Sequence, residues 1–165
     1  YFSSHSREDL KAFSENLSAA TFKEGETLFE EGEEESKWYL IVEGEVCISR
    51  LSRNGPPHTL AELGNGEAFG EMSLLANTPR MASAIAITDL QVLYLDSPTF
   101  DSLLKKSDPI AVGMLKEMAI AQSQRLTEIT TILQELTDTR PLEKMFPKQN
   151  PLDINTLIRS GLLLN

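Results

Sequence analysis

The sequence predicts a mainly β fold with flanking helices: an antiparallel, jelly-roll-like β-barrel with one helix before it and further helices after it, the last of them long. Between residues 21 and 96, about eight short apolar runs are separated by turns that contain glycine, which is typical of antiparallel barrels. Apolar residues at helical spacing precede these runs. Two proline-containing helix starts follow them, and no proline interrupts the long stretch after the second.

The composition indicates one soluble domain. The 165 residues suffice for a single core, and 41% apolar with 24% charged residues is ordinary for a globular protein. No apolar run approaches the length of a membrane span, and no signal peptide is visible in a chain that begins at Tyr1. Cys47, the only cysteine, fits a small core residue in a reducing environment, so we expect a cytoplasmic protein. The net charge of −10 argues against general binding to nucleic acid or anionic lipid, so an anionic ligand would need a local pocket.

Residues 1–20 are predicted to form an N-terminal helical segment and residues 21–96 the barrel. Ser6 and Asp9 have the spacing of a helix cap, and apolar residues then recur at helical spacing. Asn54-Gly55-Pro56-Pro57 is a strong turn signal between two strands. The predicted strands lie around Phe22, Leu28-Phe29, Trp38–Val42, Val46–Leu51, His58–Leu63, Ala84–Ile87 and Leu90–Leu95.

The stretch from Phe69 to Ser83 has the properties of a phosphate-holding loop. Gly70 can adopt backbone conformations closed to other residues, so a ligand could approach the main chain there. Glu71–Ala76 is predicted to begin a short helix, whose first N–H groups and dipole favour an anion. Arg80 adds a planar fork of donors that matches the oxygens of a phosphate.

Glu71 is an unexpected neighbour for a phosphate, because an acid there is unfavourable unless it contacts something else. A ribose 2′-hydroxyl, which needs an acceptor, would explain its presence. The alternative is that Glu71 and Arg80 simply pair with each other on a surface turn.

These residues resemble the phosphate-binding cassette of the cyclic nucleotide-binding domain family, the sensor type found in catabolite activator proteins and protein kinase A regulatory subunits. The pattern is Phe-Gly-Glu, a short apolar helix, Pro-Arg, one variable residue, Ala and Ser or Thr, and it matches in order across residues 69–83. One departure is Glu35-Ser36, where the family usually has Gly-Asp before an aromatic pair, so that turn should differ in shape. The ligand-binding residues implied by the resemblance are Phe69, Gly70, Glu71, Met72, Ser73, Arg80, Met81, Ala82 and Ser83.

The resemblance implies a regulatory sensor of 3′,5′-cyclic nucleotides that is not an enzyme and holds no metal. Members that prefer cyclic GMP often carry Thr after the arginine, and Met81 has no such hydroxyl, so cyclic AMP is expected rather than cyclic GMP. Two alternatives remain open: a metal-dependent barrel enzyme of the cupin type, for which only His5 and His58 are available, and a degenerate ligand-free docking dimer.

Residues 97–138 are predicted to be helical, with starts at Ser97-Pro98 and Asp108-Pro109 and a final helix of roughly 40 Å at 1.5 Å per residue. We expect the first half of its apolar stripe to pack on the barrel and the second half to pair with a second copy, giving a homodimer. In the family a residue on this helix often covers the purine. The candidates are Gln122 and Arg125, with Gln124 and Thr127 in the same window. The stripe consists of Val112, Ala119, Leu126 and Leu133 at one heptad position and Leu115, Gln122, Ile129 and Leu136 at the other.

Residues 139–165 are predicted to be a tail or a linker to an effector that is missing from this chain. Asn150-Pro151 could begin a helix, followed by a small apolar stripe at Leu152, Leu157 and Ile158. This segment is too short and too weakly basic for a winged helix-turn-helix, so no direct nucleic-acid binding is expected from this chain. The effector's identity is not predictable from these residues.

Overall fold

The computed structural model describes residues 6–52 and 55–136, which divide after Ile120 into two compact units. The strands are β1 (Ser18–Phe22), β2 (Thr27–Phe29), β3 (Lys37–Glu43), β4 (Val46–Arg50), β5 (His58–Leu63), β6 (Ala68–Phe69), β7 (Ser83–Ala86) and β8 (Leu90–Asp96). The helices are α1 (Arg7–Ser14), α2 (Glu71–Ala76), α3 (Ser97–Lys105) and α4 (Pro109–Leu136). The predicted tail, residues 139–165, lies outside the described residues, as does Asn54 of the predicted turn.

The first unit contains two four-stranded antiparallel sheets. One sheet has the order β1-β8-β3-β6 and the other β2-β7-β4-β5. Apart from the hairpin of β4 and β5, strands that follow one another in the chain therefore alternate between the two sheets, which fits a jelly roll. The predicted fold class is confirmed, with two facing sheets in place of one closed barrel.

Side-chain caps begin the helices that frame these sheets. The Ser6 hydroxyl accepts a hydrogen bond from the Asp9 N–H at 3.1 Å, which is the predicted cap of α1. The α3 helix begins at the predicted Ser97, and the preceding residue, Asp96, caps it by accepting a hydrogen bond from the Thr99 N–H at 2.9 Å. Asp108 caps α4 by accepting from the N–H groups of the second and third helical residues, both at 3.0 Å.

Two strands differ from the sequence-based expectation. β1 begins at Ser18, inside the segment predicted to be helical, because residues 18–22 pair along their whole length with β8. β6, only two residues long, pairs with β3 just before the candidate site and left no recognisable pattern in the sequence.

The apolar core consists of two clusters that share strand β3. Trp38 and Tyr39 are neighbours on β3, and since alternate side chains point to opposite faces of a strand, they enter different clusters. The inter-sheet cluster contains Phe29, Tyr39, Ile41, Val46, Phe69, Ala84, Ala86, Leu90 and Val92. The helix-side cluster contains Phe13, Trp38, Leu74, Leu95, Phe100, Leu103, Ile110, Ala111, Met114 and Met118.

The first half of α4 packs on the domain through a face other than the predicted one. Ile110, Met114 and Met118 are fully buried at successive helical turns, whereas Val112 is 47% exposed and Leu115 37% exposed. The prediction that the heptad stripe packs on the barrel in this half is therefore wrong for Val112 and Leu115. Met114 and Met118, each one residue before a position of the predicted stripe, are packed in the helix-side cluster instead.

The second unit is described from Ala121 to Leu136, the last part of α4. Large apolar side chains are exposed here at Leu126, Ile129 and Ile132. None of the helices in the described ranges combines the length and hydropathy that crossing a membrane requires.

Candidate functional site

The stretch from Phe69 to Ser83 joins the two sheets through the short helix α2. It leaves the first sheet at Phe69 in β6 and enters the second at Ser83 in β7. Gly70 and Asn77 flank α2 with left-handed backbone angles, φ 85° and 50°. These residue types adopt that conformation at low cost, so the chain can turn sharply at both ends of the helix.

Gly70 is required by the protein's own packing. A Cβ atom at this position would collide with the main-chain oxygen of Lys37 and lie 2.9 Å from Nη1 of Arg80. The side of Gly70 on which a side chain would stand is therefore occupied by β3 and by the arginine. Any larger residue would displace both.

Arg80 is buried and held by hydrogen bonds at one end of its guanidinium. Only 4% of the residue is exposed. Its Nη1 donates to Oγ of Ser73 at 2.8 Å, to the Lys37 carbonyl at 2.9 Å and to the Gly70 carbonyl at 3.4 Å. Ser73 is itself oriented, because its hydroxyl donates to the Gly70 carbonyl at 3.2 Å. Three predicted site residues thus form one connected group.

The other side of this guanidinium has unused hydrogen-bonding capacity. Nε of Arg80 is buried and has no hydrogen-bond partner among the described residues. No carboxylate in the described ranges lies within the 4.0 Å ion-pairing distance, so the alternative of a surface pair between Arg80 and Glu71 is wrong. Burial lowers the pKa of Arg80, opposed by Tyr39 and by the charges of nearby acids, but an arginine remains protonated at neutral pH. Within the described ranges, the site therefore holds a desolvated cation with no ion-pairing carboxylate.

An aromatic surface lies against the face of the guanidinium. Cζ of Arg80 is 3.8 Å from the ring centre of Phe29 and 5.6 Å from that of Tyr39. The rings of Tyr39 and Phe69 stack at 5.2 Å. Burial raises the pKa of Tyr39, so its phenol stays neutral beside the cation. Cation–π attraction of about 2 kcal/mol in desolvated settings offsets part of the cost of burying Arg80.

An acidic loop, residues 30–35, is hydrogen-bonded to both ends of the cassette's second half. The Arg80 N–H donates to the Glu33 carbonyl and the Gly32 N–H donates to the Arg80 carbonyl, each at 2.8 Å. The Glu31 N–H donates to Oγ of Ser83 at 2.9 Å. Of the five glutamates in this loop, Glu33 and Glu35 are close enough to act on the charge of Arg80, while the carboxylates of Glu31 and Glu35 also pair with Arg50 and Lys37.

The departure at Glu35-Ser36 has a structural role. The Ser36 hydroxyl donates to the main-chain oxygen of Ser73 at 3.2 Å, and its carbonyl accepts from the Ser97 N–H at 3.1 Å. Ser36 thereby connects the loop to both α2 and the start of α3.

The remaining predicted cassette residues differ in exposure. Met72 and Met81 are exposed, and Glu71, Ala82 and Ser83 are half-buried. The Phe69 ring lies inside the aromatic stack, which leaves its main chain as the part that could face a ligand.

The predicted base-covering residues lie in the second unit. On that part of α4, Gln122 is half-buried and Arg125 is exposed, as are Gln124 and Thr127. Their role stays a prediction.

The sequence did not reveal two groups that contact the Arg80 guanidinium, the ring of Phe29 and the carbonyl of Lys37. Phe29 and the Lys37 carbonyl lie about fifty and forty residues away from Arg80 in the chain and meet it only through sheet pairing. The sequence pattern indicated that Phe29 is a core residue of its strand, but it gave no sign of the contact with Arg80.

Other clefts on the first unit have the wrong charge for an anion. Two depressions of about 610 and 490 Å³ are lined by acids that include Glu43 and Asp89.

Among the described residues, no group of three or more metal-ligating side chains is close enough to hold a metal ion, and His58 is exposed on β5. Neither finding favours the cupin alternative.

Comparison with known proteins identifies the family. Residues 19–107 match the family model described as cyclic nucleotide-binding domain. The match covers more than half of the chain, so the protein belongs to the cyclic nucleotide-binding domain family. The resemblance predicted from the cassette is confirmed.

Three relatives illustrate this similarity. The chain is 30% identical over 110 residues to a CRP-like cAMP-activated global transcriptional regulator of Mycobacterium tuberculosis, covering 67% of this chain and 49% of that protein. It is 35% identical over 98 residues to the cyclic AMP receptor protein of Thermus thermophilus, covering 59% and 45%. The crystal structure of the Thermus thermophilus catabolite activator protein matches with a TM-score of 0.73 and 31% identity, covering 82% of this chain and 62% of that chain. The chain spans about half the length of the two curated relatives.

Proposed function

We propose that this chain binds a 3′,5′-cyclic nucleotide, cyclic AMP in preference to cyclic GMP, and acts as a non-catalytic regulatory sensor. The observation that carries the proposal is the buried guanidinium of Arg80, which has no acidic partner among the described residues and an Nε–H without an acceptor. A buried charge is costly unless it is paired. A cyclic phosphate carries the matching charge and oxygens.

The cassette supplies complementary groups for the rest of the ligand. The N–H groups of Gly70, Met72 and Ser73 lie at the start of α2, where helix N–H groups lack partners inside the helix and favour an anion. Met81 and Ala82 offer main-chain N–H groups, and Ser83 a hydroxyl, in the turn that leads to β7. Glu71 accepts a hydrogen bond from the ribose 2′-hydroxyl in this proposal.

The preference for cyclic AMP is supported by one residue and by the relatives. Met81 follows Arg80, is 48% exposed and carries no hydroxyl that could meet a guanine edge. Both curated relatives named above are described as cyclic AMP proteins.

The proposal is tested by calorimetric titration of cyclic AMP into the wild type and two arginine variants. Arg80→Ala should weaken binding by at least about tenfold, or about 1.4 kcal/mol, because the charge-assisted bonds to the phosphate are lost. Arg7→Ala, which removes an equal charge from the exposed face of α1, serves as the matched control and should bind like the wild type. Unchanged affinity in Arg80→Ala contradicts the assignment. Titration with cyclic GMP in place of cyclic AMP tests the base preference. A higher affinity for cyclic GMP would contradict the proposed preference.

The output of the sensor is proposed to pass through the helices after β8. A ligand changes an equilibrium only if it contacts two states differently. Ser36 connects α2 to the start of α3, so ligand contacts at α2 can favour one arrangement of α3 and α4. The exposed apolar residues of α4 are proposed to pair with a second copy of the chain, and the effector remains to be identified.

One observation favours the second candidate, a ligand-free docking dimer. Nη1 of Arg80 is already satisfied by three internal acceptors, so the arginine has a stable place without a nucleotide. Denaturing purified protein and measuring the ultraviolet absorbance of any released nucleotide separates the two candidates. Released cyclic nucleotide rules out the docking-only function.

A further inference from the structure

The ring of Phe29 and the guanidinium of Arg80 are in direct face contact. Cζ lies 3.8 Å above the ring centre, which is the distance of a close cation–π stack. Both groups are shielded from water, with Phe29 at 7% exposure and Arg80 at 4%. Cation–π attraction is strongest under such desolvated conditions.

Phe29 is fixed in place from two directions. Its ring packs against Tyr39 at 5.8 Å and against Phe69 at 6.1 Å between centres. Its main chain belongs to β2, and Phe29 is paired with Ala84 of β7, the strand that begins just after the cassette. Strand pairing therefore holds Phe29 beside the turn that carries Arg80.

The remaining contacts restrict Arg80 to one orientation. The ring holds one face of the guanidinium, and three acceptors hold Nη1. The part of the guanidinium without an internal hydrogen-bond partner among the described residues is the edge that carries Nε, which is buried in this structure and has to be uncovered for a ligand to reach it. A guanidinium edge of this kind recognises two oxygens of a phosphate ester only if the plane of the group is set correctly.

We propose that Phe29 is a positioning residue for the anionic ligand: its ring sets the plane of Arg80 so that the Nε edge faces the phosphate. The inference rests on the proposed function, because it concerns how the same site holds the cyclic phosphate. Affinity should then depend on the electron density of the ring as well as on its volume.

The experiment replaces Phe29 by a series of phenylalanines with increasing ring fluorination and measures cyclic AMP affinity by calorimetry. Fluorine hardly changes the packing volume but withdraws charge from the face of the ring, so affinity should fall stepwise, by about three- to thirtyfold at the end of the series. Phe29→Tyr should retain binding, and Phe29→Leu should lose as much as the most fluorinated ring. Val92→Ala removes packing from the same cluster away from the arginine, and it should change melting temperature more than affinity.

Each outcome separates the inference from the function on which it rests. Affinity that falls stepwise with fluorination supports the positioning role, provided that Val92→Ala, which loses packing alone, keeps its affinity at a comparable loss of melting temperature. A flat series in a protein that binds cyclic AMP shows that the ring only fills space, and it overturns the inference alone. Absence of binding by the wild type overturns the proposed function and this inference with it.

Discussion

At the scale of single residues, three cassette residues are connected to one another and to β3 in the absence of a ligand. Gly70 makes room for the Lys37 carbonyl and for Arg80, and Ser73 accepts from the arginine while donating to the Gly70 carbonyl. These bonds fix one end of the guanidinium. These contacts are set in advance of binding, whereas the buried Nε of Arg80 has to become accessible to the ligand.

Glu71 is the residue whose proposed role is most selective. Glu71→Ala should lower the affinity for cyclic AMP by about tenfold while leaving the affinity for its 2′-deoxy analogue nearly unchanged, because only the ribo form has the hydroxyl that Glu71 accepts. Paired calorimetric titrations with the two nucleotides measure the difference. Equal losses for both ligands would show that Glu71 acts on the fold or on the phosphate.

The individual residues also show where sequence reasoning ends. Arg80, Gly70 and Ser73 were predicted as members of one site, and the structure brings them into contact. The reason given for Gly70 was incomplete, since the atoms that exclude a side chain there come from β3. The contact with Phe29 depends on strand register between distant segments, which no local pattern encodes.

At the scale of elements, α4 serves two purposes along its length. Its first three turns bury Ile110, Met114 and Met118, and the predicted seam beside them stays exposed. Strands and helix starts were predictable because glycine, proline and capping residues mark them locally. The buried face of α4 was not predictable, because both candidate faces carry apolar residues. Over three turns, the coiled-coil period of 3.5 residues also differs too little from the helical period of 3.6 residues to separate them.

The α3 and α4 helices should respond to the ligand. Amide hydrogen exchange over residues 98–136 is expected to change by about fivefold or more on addition of cyclic AMP, because allosteric coupling free energies are typically about 1–3 kcal/mol. Strands β4 and β5 provide the internal reference and should change less. Equal exchange in α3 and α4 with and without nucleotide would identify a passive binder.

The exposed apolar residues in the second part of α4 should mediate dimer formation. Ile129→Glu is expected to raise the dissociation constant of the dimer by more than about tenfold, since a charge would be buried in the interface. Thr131→Glu places the same charge roughly on the opposite side of the helix and is the control. Sedimentation velocity over a range of concentrations gives the mass. A wild type that stays monomeric throughout would rule out this interface.

At the scale of the whole molecule, the binding of an anion by a chain of net charge −10 has a consequence for salt dependence. The buried contact with Arg80 is screened weakly, whereas repulsion from exposed carboxylates is screened over a Debye length of about 10 Å at 0.1 M salt. The glutamates of residues 30–35 lie on the loop that is hydrogen-bonded to the main chain of Arg80, so we expect them to contribute to this repulsion.

Affinity for cyclic AMP should therefore rise with ionic strength, by about two- to fourfold between about 0.02 and 0.2 M salt. Glu34→Gln, which removes one exposed charge from the loop, should raise affinity at low salt and flatten this dependence. Calorimetry at several salt concentrations measures both slopes. An affinity that falls steadily with salt would mean that attraction by surface cations dominates instead.

The shared strand β3 gives this protein a built-in optical probe. Its sole tryptophan, Trp38, is fully buried among the residues of the helix-side cluster, while the adjacent Tyr39 lies on the opposite face, near Arg80. Indole emission depends on the local environment, so the intrinsic fluorescence of Trp38 can report rearrangements of α1, α3 and α4. No dye has to be attached to the protein. Because Leu74 of α2 belongs to the same cluster, a spectral shift produced by nucleotide would show that a change at the cassette reaches the residues packed around Trp38.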